Sequence, residues 1–366
     1  MRVSTRLSTP PGGPFAACVS VTSLHVRFWV CRQHVMVIFL WLSAISGPRL
    51  GRRPYRAYAF VWKCMERSTG RLIAVKGFKQ AHEIPEIMRL AVREVQVLQM
   101  LKHPAIIPLI EAFKSKSGRV YMVFPFVESN AYQWFQEFPE GIPMPWLKLV
   151  VWQLLHALAY LHQRKVVHRD IKPGNILLSE GGGVKLCDFG FARTTHCGPR
   201  DAEDLTSYVV TRWYRAPEVL VGDRYGPACD IWSLGCTVAE LATARPLFQG
   251  NSSAEQLWRI MRCFGPLTAS QASCMSSNPL YTRVRVTTRG RTLRERLLGC
   301  DPDLFCLVES CLQLDPSDRP TARELLQSPS RRSAGSDSMG GSCSSCGNGN
   351  GRSGRRSRCS NIALCW

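Results

Sequence analysis

The chain is predicted to be an α+β protein in which a small strand-rich part precedes a larger helical part. Three observations predict it. Residues 59–63, 72–78 and 120–126 have the composition of strands, the last being an almost unbroken apolar run. Between them, residues 86–101 place Ile87, Leu90, Ala91, Val95, Leu98 and Leu101 at spacings of three and four, the mark of an amphipathic helix. Beyond Val127 the period turns helical, with a long apolar helix over 147–162 and another within 225–242.

Each element has a local reason. The first two strands are short, β-compatible runs. The helix over 86–101 stops at His103-Pro104, because proline cannot continue it. Glu94 falls beside its apolar stripe. The boundary between the two parts lies at 127/128. The folded domain is expected over 54–328, with a small lobe at 54–127 and a large lobe at 128–328.

The flanks differ in composition. Up to Arg56 there are eight arginines and no acidic residue; from Pro329 to Trp366 there are six arginines and one aspartate. Of the formal charge of +20 the middle of the chain therefore holds only about +7, so the basic balance gives no case for nucleic-acid binding by the core. Residues 329–366 are Ser/Gly/Arg-rich and expected to be disordered, Cys343 and Cys346 included. Residues 1–53 are expected to lie outside the domain. Their apolar run at 35–47 is too short for a membrane helix of about 20 residues. Signal-peptide core, organelle transit sequence and misassigned gene start all remain open for it, and no membrane contact is predicted. Sixteen cysteines scattered through a chain of this length argue for a reducing compartment, with Cys187, Cys236 and Cys306 packing as small hydrophobes.

Chemistry concentrates in one run, Val167-His168-Arg169-Asp170-Ile171-Lys172-Pro173-Gly174-Asn175, followed by Asp188-Phe189-Gly190. Upstream stand Ala74-Val75-Lys76, whose alternation puts Ala74 and Lys76 on one strand face. These motifs, in this order, resemble the catalytic loop, metal triplet and strand lysine of protein kinases. The resemblance implies a two-lobed kinase fold, ATP as phosphoryl donor and Mg2+ as cofactor. It also assigns expectations to residues. Asp170 would orient and deprotonate a substrate hydroxyl, and Lys172 would sit near the γ-phosphate. Asn175 and Asp188 would hold the metal, and Glu94 would pair with Lys76. Val61, Ala74, Phe124, Pro125, Val127 and Leu177 would enclose the adenine end.

Further along come Thr206-Ser207-Tyr208, then Thr211-Arg212-Trp213-Tyr214-Arg215-Ala216-Pro217-Glu218, then Asp230-Ile-Trp232-Ser-Leu-Gly235 and Arg319. With Lys185-Leu-Cys-Asp-Phe-Gly-Phe191-Ala-Arg193 they resemble the CMGC group, and within it the cyclin-dependent-kinase-like family, over about 57–328. That implies phosphorylation of Thr206 and Tyr208 by an upstream kinase, with Arg169 receiving phosphate. It further implies Thr211 bonded to Asp170 and Lys172, Arg215 beside the substrate peptide, and a structural Glu218–Arg319 pair. Protein substrates are the implied partners. No cyclin-binding helix is legible in 84–101, and the implied location is cytoplasm or nucleus, or cilium. One part is missing. The glycine positions of the loop that covers ATP phosphates fall on Pro54, Arg56 and Ala59. Either the true domain begins near Ala57, or the chain is a weak kinase or pseudokinase scaffold.

Overall fold

The computed structural model describes backbone strands at 18–21, 24–30 and 36–40, and residues 59–194 and 211–327 apart from 79, 80, 82, 117, 282, 283 and 285–289. Three strands come from the N-terminal region: β1 (Cys18–Val21), β2 (Leu24–Val30) and β3 (Met36–Leu40). The small lobe continues with β4 (Ala59–Glu66), β5 (Leu72–Phe78), α1 (Pro85–Met100), β6 (Glu111–Lys114) and β7 (Val120–Pro125). Among the described residues the antiparallel sheet runs β1-β2-β3-β4-β5-β7-β6. Strand β3 hydrogen-bonds along β4, with Val37 opposite Glu66 and Leu40 opposite Lys63. The physical reason is the bare edge of β4, which any apolar β-former nearby can pair.

Strands β5 and β7 bury side chains on both faces. Ile73, Val75, Tyr121 and Val123 form a cluster with Cys64 on one side, while Ala74, Lys76 and Phe78 alternate to the other, toward α1 and the cleft. Helix α1 begins with Pro85 at its first turn, where the missing N–H costs nothing.

The large lobe holds β8 (Ser129–Asn130), α2 (Trp134–Glu137), α3 (Met144–Gln163), β9 (Val166–Val167), β10 (Ile176–Leu178), β11 (Val184–Leu186) and β12 (Arg193–Thr194). After them come α4 (Pro217–Val221), α5 (Ala228–Thr243), α6 (Ser253–Phe264), α7 (Ala269–Ser277), α8 (Leu293–Arg296), α9 (Pro302–Cys311) and α10 (Ala322–Gln327). Helix α5 is buried all round from Cys229 to Leu241, so it is the axis on which the lobe is packed. Helices α3 and α9 pack against it, and α10 lies on α3. This is the two-lobed α+β kinase architecture, an antiparallel sheet followed by a helical lobe. The described cysteines carry free thiols; Cys236 is fully packed, Cys187 and Cys306 half-buried.

Candidate active site

The cleft is built from β4, β5 and α1 above, and from the segments around β9 to β11 below. Lys76 on β5 stands directly opposite Val61 on β4, and Ala74 lies two residues away on the same face. Val61, 40 % exposed, is thus a roof side chain left open over the cleft. Lys76 Nζ donates to both Glu94 oxygens, at 2.8 and 2.7 Å, and to Asp188 Oδ1 at 3.0 Å. Three charges from β5, α1 and the turn after β11 therefore converge.

Glu94 is 1 % exposed and on the buried face of α1. The sequence pattern set it beside the apolar stripe, because the stripe was drawn through Val95. The helix buries Val97 instead and turns Glu94 inward, where Lys76 and the Phe189 backbone amide favour its charge. Burial would lower the Lys76 ammonium, but Asp188 and Glu94 outweigh it and hold it above the ordinary lysine range. Burial, with the Asp188 charge adding to it, pushes the Glu94 carboxyl upward against the pull of Lys76.

Below, Asp170 Oδ2 accepts from Lys172 Nζ at 2.7 Å and from Asn175 Nδ2 at 2.9 Å. Asn175 Nδ2 also donates to the Asp170 carbonyl at 2.8 Å, closing the loop on itself. With its amide nitrogen so engaged, Asn175 keeps its side-chain oxygen for another partner. Burial opposes the Lys172 charge, yet Asp170 and Asp188 hold it above the ordinary range. Asp188 takes the left-handed φ of +64°, an unusual conformation for a non-glycine residue that aims its carboxylate at Lys76.

The residue types fit a divalent hard cation. Asp188 and Asn175 offer oxygen donors, and among the described residues no cluster of three or more His, Cys, Asp or Glu forms an all-protein cage. One or two protein oxygens completed by phosphate and water are what Mg2+ takes. Phe124 and Pro125 end β7, Phe124 buried and Pro125 half-buried; Val127 follows, and Leu177 lies half-buried on β10. These ring the mouth of the cleft at the junction between lobes.

Other expected residues are placed differently. Thr211 is exposed, and among the described residues it makes no hydrogen bond to Asp170 or Lys172. Thr206 and Tyr208 lie outside the described residues. Arg169 is 7 % exposed, stacks over Tyr225 at 4.7 Å, and has three guanidinium nitrogens without a hydrogen-bond partner among the described residues. Burial draws the Arg215 guanidinium down to about 10, with Asp170 opposing and Arg212 and Arg169 reinforcing. The expected Glu218–Arg319 pair forms, two-pronged at 2.6 and 2.8 Å and fully buried.

Sequence reasoning gave no role to Asp230, His168 or His162. Asp230, buried at the start of α5, accepts the amides of His168 and Arg169 at 2.8 Å each, and His162 Nε2 lies 2.9 Å from it. His168 Nδ1 accepts the Asp170 amide at 3.2 Å and its Nε2 meets the Cys187 carbonyl at 3.1 Å, which puts the ring proton on Nε2. This ring thus ties the Asp170 loop to the Asp188 turn. The available signal was a carboxylate in an otherwise apolar helix, Asp230 in the run to Gly235.

A strand lysine bridged to a helix glutamate and to an aspartate across the cleft, above a second Asp–Lys–Asn group, defines the phosphotransfer cleft of a protein kinase. The family model described as "Protein kinase domain" matches residues 57–330. Human cyclin-dependent kinase-like 4 is 38 % identical over 283 residues, covering 76 % of this chain and 73 % of the relative. Mouse cyclin-dependent kinase-like 5 is 40 % identical over 276 residues, and human cyclin-dependent kinase-like 2 is 39 % identical over 273. Those matches cover about three quarters of this chain but only 29 % and 55 % of the two relatives. The chain belongs to the protein kinase family, in the cyclin-dependent-kinase-like branch of the CMGC group.

Proposed function

We propose that this chain is a serine/threonine kinase that moves the γ-phosphoryl group of ATP to protein hydroxyls. The observation that carries the reading is the convergence of Glu94 and Asp188 on the Lys76 ammonium, within 3.0 Å. That ammonium is fixed and charged where phosphates would enter. Asp170 orients the substrate hydroxyl and takes its proton as the oxygen bonds to phosphorus and the β–γ bridging bond breaks. Lys172 offsets charge on the moving phosphoryl oxygens. Asn175 and Asp188 would hold Mg2+, which neutralises phosphate charge when bound. Phosphates on Thr206 and Tyr208 would regulate the enzyme, Arg169, whose guanidinium has no hydrogen-bond partner among the described residues, receiving one of them. Cytoplasm or nucleus, or cilium, is the proposed location.

Asp170→Asn tests the assignment. Phosphate transfer to a basic protein should disappear while the melting temperature holds; undiminished transfer would refute it. A second reading, a silent scaffold, rests on Pro54, Arg56 and Ala59 standing at the glycine positions, since proline offers no N–H to a phosphate. A nucleotide titration separates the two, because the scaffold should bind ATP no better with Mg2+ than without.

A further inference from the structure

Helix α3 turns an apolar strip to solvent. Trp146, Leu149 and Trp152 stand three residues apart and are 44, 38 and 42 % exposed, while Leu147, Leu154 and Leu158 fill the opposite face. The strip is held in shape. Trp134 meets Trp146 edge to face at 6.2 Å, and a Cβ built at Gly182 would lie 3.1 Å from Trp146 and 3.2 Å from Leu149. Two exposed carboxylates flank it: Glu137 on the helix with Trp134, and Glu180 in the turn with Gly182.

The chain itself carries the complement. Helix α10 packs on α3, and 39 residues follow Gln327. They include Arg352, Arg355, Arg356 and Arg358, then Ile362-Ala363-Leu364-Cys365-Trp366. We propose that 352–366 docks in cis on this strip, its apolar residues over Trp146, Leu149 and Trp152 and its arginines toward Glu137 and Glu180.

The tether permits it. The 35 residues from Gln327 to Ile362 are Gly/Ser-rich, and a tether of that composition and length has a root-mean-square reach of about 30–35 Å. Helix α3, with 20 residues, is about 30 Å long, so its whole length is in range. A tether of this length gives an effective concentration of about 1 mM, enough to fill a weak site.

The test uses the full chain and a labelled peptide of residues 352–366, read by fluorescence anisotropy, which does not depend on phosphotransfer. In the variant Ile362→Ser/Leu364→Ser/Trp366→Ser the strip is uncovered, and the peptide should bind at least about tenfold more tightly than to the unaltered chain. Adding Leu149→Asp, or separately Trp152→Glu, should abolish that binding. Equal binding to unaltered and tail-substituted chains would overturn the proposal, as would binding that survives both strip variants. A concentration-dependent dimer of the unaltered chain that dissolves in the tail variant would overturn it in favour of docking between copies.

Discussion

Asp230 Oδ1 accepts the amide hydrogen of Arg169 at 2.8 Å, across 61 residues of sequence. Arg169 has φ of +70°, a conformation costing a non-glycine residue about 1–3 kcal/mol, and such strain persists only where neighbours over-determine it. Asp230 is that neighbour, with the His168 amide on its other oxygen. Asp230→Asn replaces one acceptor by a donor and should cost about 2 kcal/mol in urea unfolding at neutral pH. Burial would raise this carboxyl, but His162 and the Arg169 amide hold it below the usual range. Its contribution is therefore full above pH of about 4 and is lost as pH falls further. A variant as stable as the wild type would remove Asp230 from this role.

Glu218 and Arg319 form a buried two-pronged ion pair that no solvent screens. Glu218→Gln should destabilise by about 3–5 kcal/mol, because a buried guanidinium is left without its counter-charge. Replacing both, as Glu218→Gln with Arg319→Met, should cost less than the two single changes added. A double-mutant cycle reads the coupling, and strict additivity would contradict it.

Glu240 is 1 % exposed and accepts the Tyr214 hydroxyl at 2.6 Å. Burial pushes its carboxyl up to about 7, against the phenol's hydrogen bond. Unfolded, it titrates near 4.5, so between those values the native chain binds more protons and stability falls as pH rises. The loss, complete above pH 7, is on the order of 3 kcal/mol at 1.4 kcal/mol per unit. Glu240→Gln has no charge to bury and should narrow the gap between melting temperatures at pH 5 and pH 8. An unchanged gap would place the dependence elsewhere.

Lys76 forms ion pairs with both Glu94 and Asp188. Lys76→Met should lower kcat by about 10²–10³, the usual loss when one preorganised charge is removed from a phosphoryl or oxyanion site. Steady-state kinetics with a peptide substrate measures it. A loss confined to KM for ATP would mean that the lysine only binds nucleotide.

Much of the fold was legible. The strand at Leu72–Phe78 appears with the predicted bounds, and the helices at Pro85–Met100 and Met144–Gln163 differ from expectation by a few residues, because period and proline signals are local. The β3–β4 pairing was not legible, since strand partners carry no mark of each other in sequence.

By itself the sequence determined which residues carry charge and in what order, and so the lobes, the lysine strand and the Asp170 and Asp188 motifs. Only the tertiary structure decided that Glu94 points inward, that Asp230 holds the Arg169 backbone, and that His168 joins two loops. The reason is physical: a helical stripe can be drawn through Val95 or Val97 equally well, and the choice is made by what lies across the interface. For Glu94 that is a buried ammonium 2.7 Å away, a partner supplied by another element of the fold.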